Sequence, residues 1–210
     1  MALKIWPIFQ IPVPASEEHI TLYTRIRLRG LSTNPETFGS TYARESAFTR
    51  EIWTTRLNTT GRTTLAAKLE DDEGHEDWVG TLSILAPEML SGIPQEPAYP
   101  AEIAEAEKVG RADVYMLVGM WVHPDYRGKG IGRQLVERAL ETVKLIPPKF
   151  TSNLDRVEIK EKVVLLEVHA HNDTAKKLYE RIGFVKQESG VEADSLDEDT
   201  EVWMAFSILE

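Results

Sequence analysis

The 210-residue chain is 42% hydrophobic and 28% charged, the balance of one sizeable soluble domain. It has no cysteine, which excludes disulfides, thiolate metal sites and a cysteine nucleophile. A formal net charge of −10 repels phosphate backbones and anionic lipid, so neither nucleic acid nor membrane is an expected partner, whereas a cationic substrate would be attracted. The opening "MALKIWPIFQIPVP" is apolar, but three prolines interrupt it and no small-residue cleavage site follows. It does not read as a signal peptide, and no other run is long enough to cross a bilayer. A soluble, cytoplasmic protein is the expectation.

"ALKIWPIF" reads as a first strand. "EEHITLYTRIRLRGLSTNPETFG" follows as a helix, with Ser16 as N-cap, Glu17 and Glu18 in the first turn, and Ile20, Tyr23, Ile26 and Leu28 on roughly one face. "SAFTREIWTTRL" reads as a shorter second helix. "TTLAAKLED" and "DWVGTLSIL" are strand-like and joined by the acidic turn "DDEGHED", which predicts an antiparallel hairpin. Residues 86–112 hold four prolines and read as a surface insertion with a short helix around Glu102–Glu107. "DVYMLVGMWV" is apolar without alternation, the mark of a central strand covered on both faces. The helix after Gly132 places Ile131, Leu135, Val136, Ala139, Leu140 and Val143 on one stripe. Residues 147–161 read as a loop, "KVVLLEVHAHN" as a strand, and "DTAKKLYERIG" as a helix with Gly183 as its C-cap. "FVKQESG" and "EVWMAFSIL" close the chain as strands linked by an acidic loop. The order is β-α-α-β-β-β-α-β-α-β-β with no internal repeat, a single mixed α/β domain over 1–210.

"HPDYRGKGIG" joins the central strand to an amphipathic helix. The first amides of a helix lack intrahelical partners and its N-terminus is electropositive, so such a junction binds anions. Glycine lets the backbone approach the anion closely, and Arg127, Lys129 and Arg133 add charge. The P-loop pattern fails because Arg133 and Gln134 follow Gly132, and the Rossmann fingerprint fails because the glycines stand at Gly128-x-Gly130-x-Gly132. The pattern R/Q-x-x-G-x-G/A is met by Arg127-x-x-Gly130-x-Gly132.

With these flanks, the chain resembles the GNAT superfamily of acyl-CoA-dependent N-acyltransferases. "WVHPDYRGKGIGRQLVERAL" is similar to motif A of that family, "VVLLEVHAHNDTAKKLYERIGF" to motif B, and "RIRLRGLSTNPETFGSTYARE" with "EIWTTRL" to the substrate-side helices of many members. The resemblance covers most of the chain, apart from 86–112 and 147–161. It implies a central, mostly antiparallel mixed sheet with two splayed parallel strands, Val114–Val122 and Val163–His169, and flanking helices. It also implies acetyl-CoA as co-substrate and no metal. The pantetheine arm would pair with the backbone of Met120, Trp121 and Val122. The pyrophosphate would sit on the turn of Arg127, Gly128, Lys129, Gly130, Ile131, Gly132 and Arg133, and Asn172 would bond the arm.

Gly119 interrupts a buried apolar strand, which marks a bulge or a close backbone approach. The family carries a bulge there that frees an amide near the thioester carbonyl; relief of crowding against Trp121 is the other explanation. Tyr179 stands where many members place a tyrosine near the CoA sulfur. A phenol holds its proton at neutral pH and could supply it to a thiolate leaving group. "VYMLVG" lacks the glutamate that several members carry early in this strand. The base is therefore open among Glu167, His169 and His123, or a water chain.

The expected activity is N-acetyl transfer from acetyl-CoA to a small-molecule or peptide amine, by direct attack in a ternary complex. The alternative is an acyl-CoA-binding or sensing protein of the same fold without catalysis. Phe38, Tyr42 and Trp53 are aromatic candidates for the acceptor pocket. A monomer and a homodimer both stay open.

Overall fold

The computed structural model describes residues 5–70, 76–91, 100–147, 161–187 and 200–208. Seven strands form one sheet in the order β1-β2-β3-β4-β5-β7-β6. In chain order the elements are β1 (Ile8–Gln10), α1 (Glu17–Thr33), α2 (Tyr42–Ser46), α3 (Arg50–Asn58), β2 (Arg62–Glu70), β3 (Glu76–Leu85), α4 (Pro87–Leu90), α5 (Ala101–Lys108), β4 (Ala112–Val122), α6 (Ile131–Leu145), β5 (Glu161–His169), α7 (Asp173–Ile182), β6 (Val185–Lys186) and β7 (Glu201–Ile208). Single turns of 3-10 helix stand at Pro35–Thr37 and Pro124–Tyr126. The chain divides into two compact units, Met1–Ile84 with Val118–Ala139, and Leu85–Leu117 with Leu140–Glu210.

In the first unit, β1 pairs antiparallel with β2, Phe9 opposite Ala66. The strand is shorter than the sequence predicts because Pro7 has no N–H to give a ladder; its carbonyl still accepts from Lys68 N at 3.0 Å. Ser16 Oγ caps α1 by accepting from His19 N at 3.2 Å. The helix ends at Thr33 and not near Gly39. A residue before proline is driven out of the helical region, and Asn34, which precedes Pro35, lies at φ −136°. Two caps that the sequence reading lacks, Thr41 and Thr49, start α2 and α3. Ile20, Tyr23 and Ile26 of α1 meet Trp53, Leu57, Trp78 and Trp121 in one buried cluster. On α6, Ile131 and Leu135 come within 3.0 and 3.1 Å of where a Cβ on Gly80 of β3 would stand. A side chain there would hold the helix off the strand.

In the second unit, β4 pairs parallel with β5 from Ala112↔Glu161 to Met116↔Leu165, and β5 pairs antiparallel with β7 from Lys162↔Ile208 to His169↔Glu201. Lys162, only 1% exposed, donates Nζ to the carbonyls of Lys144 and Ile146 at 3.1 and 2.7 Å. A cation on the last carbonyls of α6 satisfies groups that the helix leaves without donors. Asn172 Oδ1 caps α7 by accepting from Ala175 N at 3.1 Å, and Gly183 ends the helix at φ +114°. Within 86–112 the structure shows α4 and α5. Leu90 of α4 and Ile103 of α5 are buried. The predicted turn at 71–75, the end of the predicted strand 184–190, and most of the predicted loops at 147–161 and 191–200 lie outside the described residues.

Candidate active site

The glycine turn is built in the first unit. Trp6, 4% exposed, holds it from below: its Nε1 donates to Lys129 O at 3.0 Å, and its amide donates to Gln134 Oε1 at 3.0 Å. Gly128 and Gly130 take φ of +72° and +85°, a region closed to most L-residues. The first ladder bond of α6 runs from Gln134 N to Gly130 O at 3.1 Å. The amides of Gly128, Lys129, Gly130, Ile131, Gly132 and Arg133 therefore precede the ladder, at the positive end of a 15-residue helix. A Cβ on Gly128 would meet no heavy atom within 4 Å, so the turn is open on that side. Amides and dipole placed in this way favour an anion.

The three cations of the turn are braced by the protein. Arg127 donates Nε to Val122 O at 2.9 Å and Nη2 to Asn34 Oδ1 at 2.5 Å. Lys129 Nζ donates to Asp125 O at 2.8 Å and lies 4.9 Å over the Tyr126 ring. Arg133 pairs with Glu137 at 2.7 Å one turn along the helix. Upstream, burial of β4 is broken at Val118, Gly119 and Met120 and resumes at Trp121 and Val122. The indole of Trp121 donates to Asn34 Oδ1 at 3.2 Å. Asn34 thus ties the strand end to the turn.

Gly119 sits at φ +63°, and the nearest atom to a Cβ built there is Arg27 Nη1 at 3.7 Å, an ordinary contact. Crowding against Trp121 is therefore not the reason for this glycine; its backbone conformation is. Gly119→Ala should cost about 1–2 kcal/mol through backbone strain, read as a lower denaturation midpoint. An unchanged midpoint would mean that the strand relaxes out of this conformation.

The titratable cluster lies in the second unit. Glu167 and His169 alternate along β5, and the register sets Glu201 opposite His169. Glu167 Oε1 and His169 Nδ1 are both buried without a hydrogen-bond partner. His169 Nδ1 stands 3.9 Å from Glu201 Oε1, and its ring stacks on His171 at 5.6 Å. Burial, then the neighbouring charge and hydrogen bonding of Glu201, push the Glu167 carboxyl up to about 7. A carboxyl of this kind changes protonation where a general base must. Tyr179 is 7% exposed and lies 5.7 Å from the Phe184 ring; burial raises its phenol above the ordinary value.

In the first unit, His123 is engaged otherwise. Its Nδ1 accepts from Asp125 N at 3.3 Å, and its ring lies between Trp121 and Tyr126. Among the acceptor-side aromatics, Trp53 is core, packed on Tyr23 and Phe48. Tyr42 is 48% exposed, and Phe38 lies under the Arg27 guanidinium at 4.5 Å. Sequence reasoning missed Glu201, Asn34 and the Arg27–Glu45 pair. Glu201 opens the last strand and meets His169 through the β5–β7 pair; these strands are not consecutive in the chain, so no turn length fixes their register. Among the described residues no group of three or more His, Cys, Asp or Glu could hold a metal ion, and no helix is long and apolar enough to cross a membrane.

Residues 100–186 match the family model for the acetyltransferase (GNAT) domain. The chain is similar to an acetyltransferase of the GNAT family from Streptococcus pneumoniae, at 18% identity and TM-score 0.57, covering 96% of this chain and 100% of that one. It is similar also to Arabidopsis thaliana NAA60 in complex with acetyl-CoA, at 16% identity and TM-score 0.58, covering 96% and 99%. The same NAA60 bound to a bisubstrate analogue gives 16% identity and TM-score 0.57, covering 96% and 98%. No curated protein matches the chain in sequence.

Proposed function

We propose that this chain, which has the GNAT fold and carries a GNAT acetyltransferase domain match, transfers an acetyl group from acetyl-CoA to an amine in a ternary complex. The observation that carries the proposal is the Gly128–Arg133 turn, whose amides precede the α6 ladder, after a β4 strand that carries a positive-φ Gly119. Acetyl-CoA supplies the thioester carbonyl that the amine attacks and a sulfur leaving group that must be protonated.

The amides of Gly128, Lys129, Gly130, Ile131, Gly132 and Arg133 hold the pyrophosphate. The backbone of Met120, Trp121 and Val122 takes the pantetheine arm, with the Val122 carbonyl shared with Arg127. Asn172 has committed its Oδ1 to the helix cap, so its amide nitrogen is the group it offers the arm. The positive φ of Gly119 departs from extended backbone, and an amide freed from the ladder there would serve the developing oxyanion.

Glu167 is the base. As the N–C bond forms and the C–S bond breaks, the proton of the attacking amine passes to Glu167, directly or through water. Tyr179 is the acid. Burial keeps its phenol protonated, and that proton goes to the sulfur. A cytoplasmic setting goes with this co-substrate.

The test is release of free thiol from acetyl-CoA over a panel of small and peptide amines. Turnover on at least one amine supports the proposal. Stabilisation of the fold by CoA without turnover on any amine would favour the binding or sensing alternative. Tyr179→Phe should lower kcat about 10–100-fold with CoA affinity largely kept. An unchanged kcat across the pH range would remove its acid role.

A further inference from the structure

Within the first unit, α1, α2 and α3 bring two guanidinium groups to one carboxylate, and β2 adds a third cation close enough to feel the charge of both. Arg27, whose side chain is 8% exposed, binds Glu45 through two parallel bonds, Nε to Oε2 at 2.9 Å and Nη2 to Oε1 at 2.7 Å. Arg56 adds Nη1 to Oε2 at 3.0 Å. Burial alone would raise the Glu45 carboxyl. The hydrogen bond and charge of Arg27 and the charge of Arg56 outweigh burial and hold it at about 2, so this carboxylate is ionised at any working pH. Arg62 is the third cation. Its Nε is buried with no hydrogen-bond partner. Burial, and the charges of Arg56 and Arg27, lower its pKa despite a contact with Tyr23.

Three cations around one anion leave an excess of two positive charges in a site largely out of water. Isolated buried charge is unfavourable unless it is paired. A further anion would balance the cluster and satisfy the Arg62 donor. The place from which it can be approached is marked. Arg27 Nη1 makes no hydrogen bond among the described residues and stands 3.7 Å from the Cβ position of Gly119. The same guanidinium is backed by the Phe38 ring at 4.5 Å, which fixes its plane.

We infer that this arginine cluster receives a carboxylate of the acceptor, so that the amine substrate is an amino acid with its carboxylate free. Resting on the acetyl-transfer reading, the inference puts the acceptor carboxylate on Arg27 beside Gly119, where that reading places the reacting carbonyl. The carboxylate is bound and not transformed. An acidic protein surface would suggest a polycationic acceptor; the charge inside this pocket has the opposite sign and argues for an anionic group close to the amine.

The test compares amino acids with their primary amides, which differ only in carrying no carboxylate. On the wild-type protein the acid should exceed its amide at least tenfold in kcat/KM for thiol release. Equal values, or a preference for the amide, would overturn the inference and leave acetyl transfer standing. Calorimetric titration of each acid and amide into the CoA-saturated protein reads the pocket without turnover. Tenfold tighter binding of an acid supports the inference, and equal or absent binding of acid and amide overturns it. Failure of the acetyl-transfer reading is distinct, because thiol release is then absent for every amine. Arg62→Gln should raise KM for the acid about tenfold with a smaller change in kcat. If it moves only the melting temperature while acid binding is unchanged, the cluster is a structural brace and the inference falls.

Discussion

Gly130→Asp should weaken CoA binding by about 100-fold or more and leave the protein folded. Two effects add. The substitution sets a carboxylate among amides proposed to hold a pyrophosphate, and two unit charges about 4 Å apart near a protein surface repel by about 4 kcal/mol. It also places a side chain at φ +85°. Aspartate tolerates that region better than most residues, so the strain is about 1 kcal/mol. Loss of about 3 kcal/mol of binding free energy corresponds to the 100-fold change. Gly130→Ala separates the two effects, because it carries the strain without the charge and should weaken binding far less. Isothermal titration with CoA and a circular-dichroism melt check both variants. A Gly130→Asp protein that melts normally and binds CoA within threefold of wild type would remove the turn from the cofactor site.

Glu167→Gln should lower kcat by about 100-fold to 10,000-fold, the range for loss of a general base, with acetyl-CoA affinity little changed. The pH dependence carries its own signature. A base must be deprotonated, so wild-type kcat/KM should rise with pH through about 7 and then level, and the variant should lose that limb. The stability effect has the opposite sense to the catalytic one. Between the ordinary carboxyl value of 4.5 and about 7, the folded state holds the Glu167 proton while the unfolded chain has released it. Folding stability therefore falls as pH rises through that window and stays lower above it. Glu167→Gln should then melt higher than wild type at pH 8 and show no such gain at pH 4. Loss of activity with no change in the pH–rate limb would remove Glu167 as the titrating base.

If Glu167 is the base as proposed, stability at neutral pH is set against function at this strand end. Glu167 Oε1 and His169 Nδ1 are buried without partners, and Glu201 sits near enough to oppose ionisation of Glu167. A sequence selected for stability alone would pair or remove these groups. Glu167 and His169 stand on a strand that is otherwise apolar at Val163, Val164, Leu165 and Leu166, a setting that shifts a carboxyl in the way a proton acceptor needs.

Much of the architecture was legible in the chain because its causes are local. Ser16 with its acidic first turn, the stripe from Ile131 to Val143, and Gly183 after Ile182 each mark an element through interactions within a few residues. The α1 helix could have been stopped correctly from sequence too, since Pro35 excludes a helical Asn34. The glycine spacing of the turn belongs to the same class: φ preference and helix-end amides are properties of the segment itself.

What only the tertiary structure decided is the pairing of groups that lie far apart in sequence. The approach of Glu201 to Glu167 and His169 depends on how the last strand registers against β5. The bracing of Arg127 by Asn34 crosses 93 positions. The set of Arg27, Glu45, Arg56 and Arg62 gathers one carboxylate and three cations from four elements. Charge and desolvation act through space, and no periodicity records them. The sequence by itself marked the turn proposed to hold an anion, because glycine spacing and helix-end amides are local properties. The folded chain decided which carboxyl is pushed toward neutrality, and that the buried Arg62 Nε is left without a hydrogen bond.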